Sequence, residues 1–287
     1  MSTFPQFSLL KHLEKNAPVI CDGAKLPLLQ ELGFPETSAC FMANLTHPQL
    51  VPQVYQNYLR AGASILRTNT ESAHRFVLDE LQLLDRLENI NNNGMALLRE
   101  GVGMLGIPAG SVTSVKKDVI GEIPLHLLER AYGEQFIYLA DTGAKFIMLS
   151  EFTDLEDLKT ALRVAKHSVQ RQLVAHLRLC QQEDVSVVLE KMQELWERGT
   201  DFIGIQASSQ YHHLSLLMET LVDHFGIVSV LLDEPAPLPF GQVSPEFRKV
   251  AQTLLEQEVA ILGGGHHTTP AHIQSITEIV TTLPASC

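Results

Sequence analysis

Cysteine is scarce in this chain. The 287 residues include four, Cys21, Cys40, Cys180 and Cys287, far apart and without paired spacing. That argues against a disulfide framework and leads us to expect a reducing, cytoplasmic setting. Basic residues are also short: Lys and Arg total 21 against 33 Asp and Glu, a net charge of −12. Nucleic acid and anionic membrane both call for a positive surface, so neither is expected as a partner. No apolar run approaches the length of a membrane helix. Residues 1–10 lack the basic start and long apolar stretch of a signal peptide. Aromatics are only 6% of the chain, whereas apolar residues reach 45%. The core is therefore expected to be mainly aliphatic, and ample for a single domain over residues 1–287.

What is present is alternation. Short β-like runs at 18–21, 63–68, 102–107, 146–149, 173–177, 202–205, 227–232 and 259–262 each lead into a helical stretch. The segment 75–100 reads as one long helix. Leu155, Leu158, Leu162 and Ala165 recur at helical spacing. About eight βα units is the count of a closed parallel barrel, so the expected fold is α/β, a single (β/α)8 TIM barrel. Such barrels carry their chemistry at the C-terminal ends of the strands. The residues there are Asp22, Asn69, Thr70, Ser111, Glu151, Cys180, Gln206, Ala207, Asp233, Glu234, His266 and His267. The Pro-rich segment 233–239 follows a strand and reads as a loop at that same end.

The run Gly263-Gly264-Gly265-His266-His267-Thr268-Thr269-Pro270-Ala271-His272-Ile273 is the most informative stretch. It reads as a glycine turn between strand and helix, with Thr-Thr-Pro as N-cap and first turn. It resembles the closing motif of the homocysteine S-methyltransferase family, Gly-Gly-Cys-Cys-Gly followed by Thr-Thr-Pro. The resemblance continues in order through Cys21-Asp22-Gly23-Ala24, His47-Pro48-Gln49-Leu50-Val51, Tyr58 to Ala63, Thr68-Asn69-Thr70, Ala109-Gly110-Ser111, Tyr132-Gly133-Glu134-Gln135, Glu151 and Gly204-Ile205-Gln206-Ala207. It spans nearly the whole chain.

The resemblance implies a homocysteine-binding barrel, and a methyltransferase of methionine metabolism if the chain is an enzyme. In the family, three cysteine thiolates hold zinc, which keeps the substrate sulfur ionised. The matching positions here are Ala207, Gly265 and His266. Two of these have no ligand atom, and a lone imidazole does not replace three thiolates. No zinc and no other cofactor is expected, and zinc-thiolate methyl transfer is expected to be lost. The resemblance also implies that Asp22 and Glu151 receive an amino acid's ammonium group, with Asn69 and Thr70 beside them.

Each residue has a second reading. Glu151 would equally pair with Arg67, and Asp22 would equally serve a turn or a helix cap. His266 and His267 are candidates for a general base that activates sulfur without metal. They also read as plain polar residues at a helix start, or as part of a metal site rebuilt with Cys21, Cys180, His212 or His213. The glycines read as a phosphate-binding turn or as a remnant of the zinc turn. The expected partner is a small amino-acid-like or thiol ligand. The alternative is a catalytically silent barrel that binds a metabolite or a protein.

Overall fold

The computed structural model describes residues 7–16, 18–180 and 183–283. Eight strands lie in it: β1 (Val19–Ile20), β2 (Ile65–Arg67), β3 (Ile107–Thr113), β4 (Phe146–Phe152), β5 (Leu173–Arg178), β6 (Phe202–Ser208), β7 (Val228–Asp233) and β8 (Ile261–Gly264). All pairings are parallel, in the order β1-β8-β7-β6-β5-β4-β3-β2. A bridge between Cys21 and Ile65 joins the two ends. Helices fill the connections, and the architecture is the expected (β/α)8 barrel.

Period-two alternation sorts the side chains. Val19, Cys21, Ile65, Ala109, Phe146, Met148, Val174, Phe202, Leu231 and Ile261 form the apolar interior. Leu9 and Leu13 of the helix Leu9–Asn16 join this cluster. The Leu9 N–H donates to Gln172 Oε1 at 2.6 Å, just before β5 begins, so this helix plugs the N-terminal end of the barrel. The alternate residues, such as Ile203, Ile205, Val228 and Val230, pack outward against the helices.

Two element assignments need correction. The run 102–107 is not the third strand: Val102 ends the helix Leu87–Val102, and Gly103 terminates it with φ 53°. Met104 and Leu105 are exposed there, and β3 begins at Ile107. Its Pro108 and Gly110 disguise it, because both residues are disfavoured in strands. Likewise 75–100 is broken into Arg75–Glu80, a 3-10 turn at Leu84–Arg86, and the helix from Leu87. Gln82 at φ 59° marks the break. No helix among the described residues is long and apolar enough to cross a membrane. Cys287 lies outside the described residues.

Candidate functional site

The C-terminal mouth of the barrel is filled with paired charges. Asp22, fully buried, follows β1 and faces Arg67 at the end of β2. Arg67 Nε donates to Asp22 Oδ1 at 2.7 Å, and the Arg67 backbone N–H donates to Asp22 Oδ2 at 3.0 Å. Arg67 Nη2 donates to the carbonyls of Asp22, Gly23 and Gly264 at 3.0, 3.3 and 2.7 Å. Arg67 therefore pairs with Asp22, not with Glu151.

Glu151 finds a different guanidinium. It sits at a register shift in β4, in the left-handed region at φ 64°. A non-glycine residue held there costs on the order of 1 kcal/mol, and a bulge re-aims the side chain it carries. Arg178 Nη1, at the end of β5, donates to Glu151 Oε2 at 2.5 Å, and Arg178 Nη2 lies 3.0 Å from Asp233 Oδ2. Gln206 Nε2 donates to Glu151 Oε1, and also to Asp233 Oδ1 at 3.0 Å. His266 closes the ring, with Nε2 2.6 Å from Glu151 Oε2 and its backbone N–H donating to Asp233 Oδ1 at 2.7 Å. Burial alone would raise the Glu151 pKa, but the His266 hydrogen bond and the charges of His266 and Arg178 bring it down to about 2. Burial wins at Asp233, whose pKa is raised despite Arg178. The His266 pKa is raised by its bond to Glu151, against the effect of burial.

Asp233 is the last residue of β7 and only 4% exposed, so it belongs to the mouth and not to a solvated loop. Its carboxylate stands where the first side-chain carbon of a residue at 265 would be, well inside van der Waals distance. Ala207, expected to face the mouth, instead packs outward with Ile203 and Ile205. Gln206 is the β6 residue that points inward. Among the described residues, no group of three or more His, Cys, Asp or Glu is placed to hold a metal ion. Gly265→Cys must displace Asp233 from three partners. It is expected to lower stability by about 1–3 kcal/mol, read by thermal denaturation; an unchanged melting temperature would mean that the Asp233 carboxylate swings freely aside.

The remaining candidates are bound elsewhere. Asn69 Nδ2 donates to the Cys40 carbonyl at 2.8 Å and to Asn44 Oδ1 at 3.0 Å. Thr70 Oγ1 donates to the Ser111 carbonyl at 2.9 Å. Both side chains are buried and tie loops together. His267 is exposed, at φ 59°, and its pKa is lowered by burial and by neighbouring His266. Glu234 is buried and faces away from the ring, with Oε2 3.1 Å from His272 Nε2 and accepting the Ser244 N–H at 3.2 Å. His272 also accepts the Thr269 N–H at Nδ1, 3.1 Å away, which secures the expected N-cap at Thr269. Cys21 is buried, while Cys180, His212 and His213 are exposed.

One buried group under the mouth escaped the sequence reading. His176 bridges the Leu149 carbonyl and Ser229 Oγ, each at 2.9 Å. Gly204 makes the room, since a side chain there would overlap the imidazole. Burial holds the His176 pKa down at about 3, so the ring is neutral. The pairing of Gly204 with an inward His176 two places before Arg178 was the available signal.

The homocysteine S-methyltransferase profile matches residues 19–280. The chain belongs to the homocysteine S-methyltransferase family. It is 25% identical over 267 residues to methionine synthase of Mycobacterium tuberculosis, covering 84% of this chain but only 22% of that protein. It is 25% identical over 301 residues to the S-methylmethionine–homocysteine S-methyltransferase BHMT2 of Pongo abelii, covering 94% of this chain and 80% of that one. The barrel superposes on the metallated homocysteine methyltransferase MmuM of Escherichia coli with TM-score 0.79 at 14% identity, covering 94% and 99% of the two chains. Family membership accounts for the barrel and for the order of its motifs. Within this family barrel, two arginines at the mouth are bonded to carboxylates, Arg67 to Asp22 and Arg178 to Glu151 and Asp233.

Proposed function

We propose that this protein is a divergent member of its family whose mouth binds a small amino-acid-like or thiol ligand and does not transfer methyl groups through a zinc-bound thiolate. The observation that carries this reading is Arg178, a fixed cation held between Glu151 and Asp233. Zinc needs a convergent set of thiolate, imidazole or carboxylate donors, and the carboxylates of Glu151 and Asp233 are taken by Arg178. Here Gly265 offers no donor, Ala207 faces the helices, and His266 Nε2 is engaged by Glu151. These residues do not fit the ion. Without it a thiol of pKa ~8.5 is only a few per cent ionised at neutral pH. His266 is the base at hand, but its bond to Glu151 raises its pKa and so favours the protonated form, which cannot accept a proton from a thiol.

A second reading, a barrel without catalysis that serves as a metabolite-binding or interaction module, is favoured by a separate observation. Both carboxylates expected to receive an ammonium group already hold an internal guanidinium. Elemental analysis after chelator-free purification is expected to find far less than one zinc per chain. Methyl transfer from S-methylmethionine to homocysteine is expected to be undetectable, and calorimetry is expected to show homocysteine binding. One zinc per chain, lost in a His266→Ala, His267→Ala variant, would overturn the proposal. Absence of homocysteine binding would select the module reading.

A further inference from the structure

One cation at the mouth has carboxylates within ion-pair range but makes no hydrogen bond. Lys25, in the helix Lys25–Glu31 after β1, is 4% exposed, and its Nζ is fully buried without a hydrogen bond. Asp22 Oδ2 lies 3.8 Å away and Glu71 Oε1 3.6 Å away, both beyond hydrogen-bond reach. Asp22 is already bonded to Arg67. Glu71 is 38% exposed at its side chain and feels the charges of Lys25, Arg67, Lys117 and Glu151, so it stands at the open side of the mouth. Ser111 Oγ, within β3, is also buried and without a hydrogen-bond partner. Leaving three ammonium donors unmade in a buried position is costly, and a bound acceptor would relieve it.

We propose that Lys25 Nζ binds the acidic group of the ligand, and that the mouth recognises its ligand as an organic acid and not through an ammonium group. This rests on the small-ligand reading above and specifies the class. The two carboxylates that would receive an ammonium are each bonded to an arginine, at Arg67 and Arg178. The group with free capacity is a donor, and donors take carboxylates. Glu71 is the built-in carboxylate nearest Lys25, and an incoming acid would displace it toward solvent.

The test uses three thiols that differ in one group: homocysteine, 4-sulfanylbutanoate (no ammonium) and 3-aminopropane-1-thiol (no carboxylate). Calorimetric titration of the whole chain is expected to show the acid binding at least as tightly as homocysteine and the amine at least tenfold more weakly. Lys25→Met is expected to weaken the acid by roughly 10- to 100-fold, the range of one charge-assisted bond. Glu71→Gln is expected to tighten it severalfold, and it answers the question even if Lys25→Met does not fold. Tighter binding of the amine than the acid, undiminished acid binding by folded Lys25→Met, or no gain in Glu71→Gln would overturn the Lys25 subsite. In those cases homocysteine binding itself would persist and the small-ligand reading would stand. Failure of all three thiols to bind would overturn both.

Discussion

Arg67→Met is expected to be the most damaging single substitution at the mouth, with a loss of about 3–5 kcal/mol. That is a large part of the roughly 5–15 kcal/mol that holds a domain folded. Arg67 is 3% exposed and its partner Asp22 is fully buried. Removing the guanidinium leaves Asp22 charged in the interior, with Lys25 no nearer than 3.8 Å. It also strips donors from the carbonyls of Asp22, Gly23 and Gly264. Arg67→Lys should rescue little, because a single ammonium cannot span the acceptors that the planar fork reaches. An Asp22→Asn, Arg67→Met double variant should recover part of the loss. Urea denaturation of the wild type, Asp22→Asn, Arg67→Met and the double variant measures the coupling. A single Arg67→Met variant as stable as wild type would show that Asp22 is neutral or solvated.

Arg178→Met is expected to cost about 3 kcal/mol at pH 7 and to steepen how stability depends on pH. In the wild type, Glu151 has its pKa depressed to about 2. Its contribution is full above the ordinary carboxylate range and is lost as the pH falls through about 2. In the variant, Glu151 and Asp233 share Gln206 with no guanidinium between them. Asp233, whose pKa burial already raises, then carries an unrelieved charge at neutral pH. Protonation relieves it, so the variant should gain more stability between pH 7 and pH 4 than the wild type, in which the raised pKa values of Asp233 and His266 already favour the folded state on acidification. Chemical denaturation across that range gives the two slopes. Parallel slopes would mean that Arg178 does not control the carboxylates.

Much of this was legible in the sequence. The alternation of strand-like and helical runs yields the barrel because both faces of a parallel strand are buried and read as apolar runs. The exception, β3, contains Pro108 and Gly110, and the apolar run before it caps a helix. The mouth was only half legible. The strand-end rule named Asp22, Glu151, Gln206, Asp233 and His266, all of which meet there. It did not name Arg178, because a strand-end arginine after Leu177 carries no motif. Without Arg178, Arg67 was the nearest cation to assign to Glu151, and the partners were crossed. Ala207 was misplaced for a simpler reason. Alternation through Phe202, Gly204 and Gln206 puts those three inward and Ala207 outward, whereas the family motif drew attention to Ala207 itself.

The seam beside β1 has a consequence for association between molecules. β1 has two residues in its ladder with β8, and a single bridge, Cys21 to Ile65, connects it to β2. Arg67 crosses this seam, fastened to Asp22 and Gly23 on one side and to Gly264 on β8. If that clasp is lost, the seam is held by the backbone bonds from Ser64 N–H to the Ile20 carbonyl and from Asp22 N–H to the Ile65 carbonyl, and opening there would bare two strand edges. Unpaired strand edges are templates for pairing with another chain. Arg67 therefore works against edge-to-edge association as well as holding the fold, and the excess of negative charge sets opened molecules against one another.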